Sequence, residues 1–164
     1  MSDVAASVRR GGADDAPSLR AIRLEALADT PEAYGTTYEE VATWPDARWR
    51  GAASEWVFFL GEHEGVVRGL ARGGHHDLHP GTHWLYAMYV APAARGGGLA
   101  RMLVDAVAQW ASGEGARAIH LHVGSQVPRA RAFYEKIGFR PTGEVGTMGR
   151  GGSMRLVTMV KDLD

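Results

Sequence analysis

The stretch Thr82 to Val90 carries Trp84, Tyr86, Met88 and Val90 at one parity and Leu85, Ala87 and Tyr89 at the other. Both sides are mostly apolar, so this strand needs a covering layer on each face and belongs in the middle of a sheet. Pro92 ends it. The chain then reads Arg95-Gly96-Gly97-Gly98-Leu99-Ala100, and from Leu99 to Ala111 a helical stripe follows: Leu99, Met102, Leu103, Ala106, Val107 and Trp110, against a wet face of Arg101, Asp105 and Gln109. A buried strand that passes through three glycines into an amphipathic helix constrains chemistry as well as fold. The first backbone N–H groups of a helix have no partner inside it, and the dipole there favours anions. Glycines let the backbone approach a phosphate closely, and Arg95 adds a positive charge. The segment reads as a phosphate or pyrophosphate cradle; its plain alternative is a flexible strand-to-helix turn. It is no Walker loop, because no Gly-Lys-Ser/Thr follows, and it lacks the spacing of a dinucleotide fingerprint.

The remaining chain supplies more strands and helices. Val4–Arg10 reads as a first strand, and a helix begins around Asp14, Asp15 and Pro17 and ends at Thr30-Pro31. Glu32–Ala53 reads as one or two short helices broken at Pro45. Trp56–Leu60 and Val66–Arg72 form a hairpin about Gly61–Gly65, and Gly73–Gly81 reads as a loop. Arg117–Val123 alternates as a strand. Pro128 opens a last helix with Ala130, Phe133, Tyr134 and Ile137 on one stripe, stopped by Gly138. Strands at Arg140–Val145 and Met154–Lys161 finish the chain, with Gly146–Gly152 as a loop between them. This order predicts an α+β, or mixed α/β, fold about one central sheet.

A length of 164 residues predicts one domain, 1–164. Gly is high at 22, but 45 % apolar residues and only 7 prolines exclude a disordered polymer. The chain has no cysteine, which removes disulfides, thiolate metal sites and a cysteine nucleophile, and fits a reducing, cytoplasmic setting. A net charge of −1 argues against nucleic acid as partner. The sequence has neither a signal-peptide pattern nor an 18-residue apolar run, so no membrane association is expected.

Arg95-x-x-Gly98-x-Ala100 resembles the Q/R-x-x-G-x-G/A signature of the GNAT-type N-acetyltransferases, which bind acetyl-coenzyme A. Ala130-x-x-Phe133-Tyr134-x-x-x-Gly138-Phe139 resembles a second block of that family, and the element order fits throughout. The resemblance implies a mostly antiparallel sheet of six to seven strands, helices on both faces, and a splay between the fourth and fifth strands. It implies acetyl-CoA as cosubstrate, with main-chain groups of Met88, Tyr89 and Val90 facing the thioester and pantetheine. Arg95, Gly96, Gly97, Gly98, Leu99, Ala100 and Arg101 would hold the pyrophosphate, and Ser125, Ala130 and Phe133 would lie along the cofactor arm. Tyr134 falls where members place a general acid for the departing thiolate, with core packing as its plain alternative. Val127 stands where many members have Asn, so Ser125 or Gln126 would have to supply that hydrogen bond. The implied function is transfer of an acetyl group to a primary amine of a small molecule or peptide by direct attack; the alternative is a non-catalytic acyl-CoA sensor. Many members pair through late strands, which admits a homodimer.

Further candidates stay open. His120, His122, His83, Glu39 and Glu40 are candidates for the general base. His75, His76, Asp77, His79 and His83 form a His-rich tract that matches no metal-finger spacing and reads as an incidental surface loop, so no metal is expected. Trp44 and Trp49 could line an acceptor pocket or pack in the core. Arg129 and Arg131 could meet the adenosine 3′-phosphate or sit at a solvated helix end. Replacing Gly98 is expected to weaken cofactor binding far more than replacing Gly151.

Overall fold

The computed structural model describes residues 6–148 and 150–164. The elements are β1 (Ala6–Arg10), α1 (Ala16–Asp29), α2 (Tyr38–Ala42), α3 (Asp46–Glu55), β2 (Val57–His63), β3 (Val66–His76), β4 (His79–Val90), α4 (Leu99–Gly113), β5 (Ala118–Gly124), α5 (Pro128–Lys136), β6 (Arg140–Met148) and β7 (Met154–Asp162). Val4 and Ala5 of the expected first strand lie outside the described residues. The strands form one seven-stranded sheet in the order β1-β2-β3-β4-β5-β7-β6, antiparallel except for β4 and β5. That parallel pair holds register only at His83 with Ile119 and Trp84 with His120. Beyond these residues β4 continues to Val90 without β5 beside it, which is the expected splay.

One face of the sheet packs Leu85, Val90, Ile119, Leu121 and Met159 against Leu99, Leu103, Val104 and Val107 of α4 and Tyr134 of α5. The opposite face packs Phe58, Leu60, Leu70 and Tyr89 against Leu19, Ile22, Ala26 and Leu27 of α1 and Trp49, Ala52 and Ala53 of α3. A sheet covered on both sides accounts for the apolar character of both parities in β4.

Four local expectations need correction. The alternation along β4 is broken: Leu70 pairs with Tyr89 but Arg72 with Tyr86, so β4 carries one extra residue, and Ala87 takes a left-handed φ of 54°. A bulge reverses the parity of everything after it. Tyr89 therefore joins the α1 layer on the side of Tyr86, while Val90 joins Leu85 against α4.

The expected loop Gly73–Gly81 is instead a long hairpin, with His76 paired to His79. Its glycines serve packing: a Cβ on Gly73 would stand 2.5 Å from the Trp110 ring, and one on Gly74 would stand 3.1 Å from that of Tyr86.

The buried stripe of α4 is Leu99, Leu103, Val104, Val107 and Ala111. Met102 is exposed because that edge of α4 borders a cavity of about 550 Å³ shared with Val8, Arg10 and Phe59. Finally, β6 extends to Met148, so Gly146 is a strand residue paired with Leu156.

Candidate active site

The glycine segment is built as the sequence suggests. Gly96 and Gly98 have φ of 86° and 85°, and Gly98 is the N-cap of α4 in left-handed conformation. The first amide to find an intrahelical acceptor is that of Met102, on the Gly98 carbonyl at 3.1 Å. The N–H groups of Leu99, Ala100 and Arg101 thus point out of the helix start. The Arg101 side chain is exposed beside Asp105, at 3.5 Å.

Arg95 departs from expectation. Its Nε–H donates to the Val90 carbonyl at 2.9 Å, and its other end pairs with Asp29 at 2.8 Å. The guanidinium therefore ties the end of β4 to α1. The backbone of Arg95 remains in the loop, but its charge is already engaged.

The splay beside β4 gathers the second part of the site. Met88 lies just past the bulge, and its carbonyl accepts a 2.9 Å hydrogen bond from the Tyr34 hydroxyl. Tyr134 is buried, with its ring against Phe133 and Phe139. Burial raises its phenol well above the usual value, and the nearby Tyr34 adds to this. Tyr34 is itself pushed up to about 12, again mainly by burial. Both phenols are therefore firm proton holders at neutral pH. The α5 end of the implied cofactor site is looser: Ser125 is exposed and its amide bonds the Arg155 carbonyl, Gln126 is exposed, and Val127 is the N-cap of α5. Ala130 and Phe133 are half-buried against the α4-side core.

Sorting the base candidates narrows them. His83 lies on the α4 face, buried, with Nε2 3.1 Å from Glu114 and its ring against Trp110. It is removed from the splay and already partnered. His120 and His122 flank Trp84 on the other face, and burial lowers both from the ordinary imidazole value. They are neutral at pH 7, as a base must be. Glu40 closes a capping box with Thr37 at the start of α2. Glu39 borders a cavity of about 540 Å³ with Tyr34, Thr36, Tyr38, Ser153 and Met154.

The His-rich tract is no incidental loop. The hairpin splits it across the sheet: His76 and His79 pack tilted against Trp84 on one face, while His75, His83 and Glu114 bring ligand-type atoms within 4.8 Å of one another on the other. Trp49 is sealed in the core with Trp44 packed on it, and neither lines the cavity beside Tyr34. Arg131 is paired with Glu135 at 3.0 Å, and Arg129 is exposed.

Sequence reasoning missed Arg23, Tyr34 and Arg72. The ring of Tyr34 lies 4.7 Å from the Arg23 guanidinium, and Arg72 sits 3.6 Å over Trp56, opposite Tyr86 in the β3–β4 register. Arg72 shares the inward parity of Leu70, and that signal was available in the sequence.

The geometry matches known proteins. The sequence pattern of the acetyltransferase (GNAT) family matches residues 19–139. Mycothiol acetyltransferase of Amycolatopsis mediterranei (strain U-32) is 36 % identical over 115 residues, 66 % of this chain, which spans 37 % of the length of that relative. The structure of yncA from Salmonella typhimurium, solved with its cofactor acetyl-CoA, superposes with a TM-score of 0.74 at 22 % identity, over 98 % of this chain and 95 % of that one. A GCN5-related N-acetyltransferase from Kribbella flavida gives 0.74 at 25 %, covering 97 % and 98 %. Ribosomal-protein-alanine N-acetyltransferase from Brucella melitensis gives 0.71 at 25 %, covering 96 % and 99 %.

Proposed function

The chain belongs to the acetyltransferase (GNAT) family; from that premise we propose that it is an acetyl-CoA-dependent acetyltransferase and acetylates a primary amine by direct attack with both substrates bound. The observation that carries this reading is the continuity of β4. The strand runs from the splay past the bulge at Ala87 to Val90, and only the short turn at Pro92–Ala94 separates it from the left-handed Gly96 and Gly98 that open α4. A phosphate cradle and a gap with free main-chain groups thus lie on one stretch of chain. The residues present fit the cosubstrate: the amides of Gly96 to Arg101 suit its pyrophosphate, and the exposed Arg101 adds charge.

Acetyl-CoA supplies the acyl thioester; the chain supplies orientation and protons. Main-chain N–H groups near Met88 to Val90, freed from β5 by the splay, stabilise the negative charge that develops on the carbonyl oxygen. The amine nitrogen forms its bond to the acyl carbon as the carbon–sulfur bond breaks. The nitrogen loses one proton and the sulfur gains one. Tyr134, held protonated by burial, donates to the departing sulfur and is replenished from the amine side. His120 or His122, neutral at pH 7, or Glu39 at the mouth of the cavity receives the amine proton. The acceptor is a small molecule or a peptide N-terminus, and members of the family often pair, so a homodimer is part of this reading.

The test is release of free thiol from acetyl-CoA with a panel of amines; the chain has no cysteine to interfere. Turnover that falls about 10- to 100-fold in Tyr134→Phe, with acetyl-CoA affinity unchanged, supports the role of Tyr134. Unchanged turnover removes Tyr134 from the mechanism. Tight acetyl-CoA binding without thiol release for any amine overturns the transfer and favours a sensor.

A further inference from the structure

On the α1 side of the splay stand two arginines that the transfer mechanism does not use. Arg23 projects from α1 between the buried Ile22 and Leu24, and Arg72 projects from β3 beside the buried Leu70 and Ala71. Arg23 Nη1 and Arg72 Nε are buried without a hydrogen-bond partner among the described residues. Arg23 donates from Nη2 to Thr36 Oγ1 at 3.1 Å and lies against the Tyr34 ring; Arg72 lies over Trp56. Among the described residues, no carboxylate pairs with either guanidinium, although other arginines of the chain are paired, such as Arg9 with Asp15, Arg95 with Asp29 and Arg140 with Asp162.

α1 packs on β3, so both side chains enter the layer between them. Burial, and after it the like charge of Arg23, pulls the Arg72 guanidinium down to about 10. Burying a charge without a counter-charge is costly, and burying two like charges in one layer costs more. Aromatic faces recover only part of that. The feature that removes the cost is an anion between them with planar, paired oxygens, which matches the fork of a guanidinium. Their location says what carries that anion. Tyr34 touches Arg23 with its ring and Met88 with its hydroxyl, and Tyr86, opposite Arg72, stands one bulge before Met88. An anion held here belongs to a molecule whose other end reaches the splay, where the amine must arrive.

We propose that Arg23 and Arg72 form a carboxylate subsite and that the acceptor is a free amino acid, held by its carboxylate while its amine faces Met88. This rests on the transferase reading for the amine's role. The carboxylate site itself can be measured without turnover.

The experiment compares L-amino acids with their carboxamides, in two arms. In the first, binding to the protein in the presence of coenzyme A is followed by calorimetry. The free acid should bind at least about 30-fold tighter than its amide, and Arg72→Gln should erase most of that difference. Arg72→Lys, which keeps the charge without the fork, should retain part of it. In the second, thiol release from acetyl-CoA should show the same preference in KM, with kcat changed by less than about threefold in Arg72→Gln.

Arg72→Gln relieves a buried charge that has no ionic partner and gives up its contact over Trp56, two effects of opposite sign, so Tm should change little. A lowered Tm with the acid preference intact would make Arg72 a purely structural residue and overturn the proposal. Equal binding of acids and amides, or binding of neither, also overturns it. Acid-selective binding with no turnover keeps the subsite and defeats the transferase reading. Turnover without acid selectivity does the reverse.

Discussion

The hydroxyl of Tyr34 donates a 2.9 Å hydrogen bond to the main-chain carbonyl of Met88. It joins the segment after α1 to a place in β4 where the ladder to β3 is interrupted. A carbonyl freed by a bulge is an orphan acceptor in a buried region, and Tyr34 satisfies it. Tyr34→Phe keeps the ring beneath Arg23 and removes the hydroxyl that makes this bond. A loss of about 1 kcal/mol in urea unfolding is expected, together with a larger proportional loss in kcat than in acetyl-CoA affinity. A variant that unfolds earlier but turns over normally would separate the bond from catalysis.

Ala87 is a non-glycine residue at φ 54°. Left-handed backbone costs an L-residue about 1 kcal/mol. Ala87→Gly should therefore leave stability unchanged or raise it by up to about 1 kcal/mol, although glycine elsewhere in a strand destabilises. Chemical denaturation of the variant reads this directly. A clear loss would mean that the Ala87 methyl contributes more packing than its backbone costs.

Gly98→Val places a branched side chain at φ 85° and at the mouth of the amide cradle. Acetyl-CoA affinity should drop by about tenfold or more, by the strain and by displacement of the helix start. Gly151 is a poor control, because it too is left-handed, at φ 63°. Gly51 is a better one: it lies inside α3 with open space where a Cβ would point. Gly51→Ala should leave the affinity alone and add about 0.5–1 kcal/mol of stability. Calorimetric titration of both variants with coenzyme A makes the comparison.

His120 and His122 have pKa values lowered chiefly by burial. The unfolded chain, with imidazoles near 6.5, takes up protons first as pH falls. Their contribution to stability is complete above about pH 6.5 and is lost as the pH falls through the lower folded values. Tm should drop by a few degrees from pH 7.5 to 5.5, and the slope should flatten in the His120→Asn/His122→Asn double variant. An unchanged slope would assign acid sensitivity to other groups.

The turn into α4 was legible because its geometry needs glycine, and glycine is visible as a letter: Gly96 and Gly98 occupy left-handed positions that other residues avoid. The layers were legible because buried strands and helices repeat at 2.0 and 3.6 residues. The bulge was not legible, because it falls on alanine and leaves no compositional mark. The hairpin glycines Gly73 and Gly74 misled for the opposite reason: they look like loop residues, yet they make room for Trp110 and Tyr86. The paired arginines were hidden because they lie 49 positions apart in sequence and only packing of α1 on β3 unites them. Arg95 carried the right letter for an anion site, and tertiary structure gave its charge to Asp29 instead.

The extra residue in β4 also determines how this strand responds to a change of length. Deleting Ala87 would restore unbroken pairing with β3 and cost little reach. Everything after it would keep its compartment, because the residue removed is the one that breaks the alternation. Tyr89 would still face α1, where its hydroxyl meets Glu25 and Asp29, and Val90 would still face α4. What the deletion would erase is the irregular backbone beside Met88, whose carbonyl Tyr34 now holds. A one-residue deletion here therefore separates the bulge from the packing of the two layers, which no exchange of side chain can do.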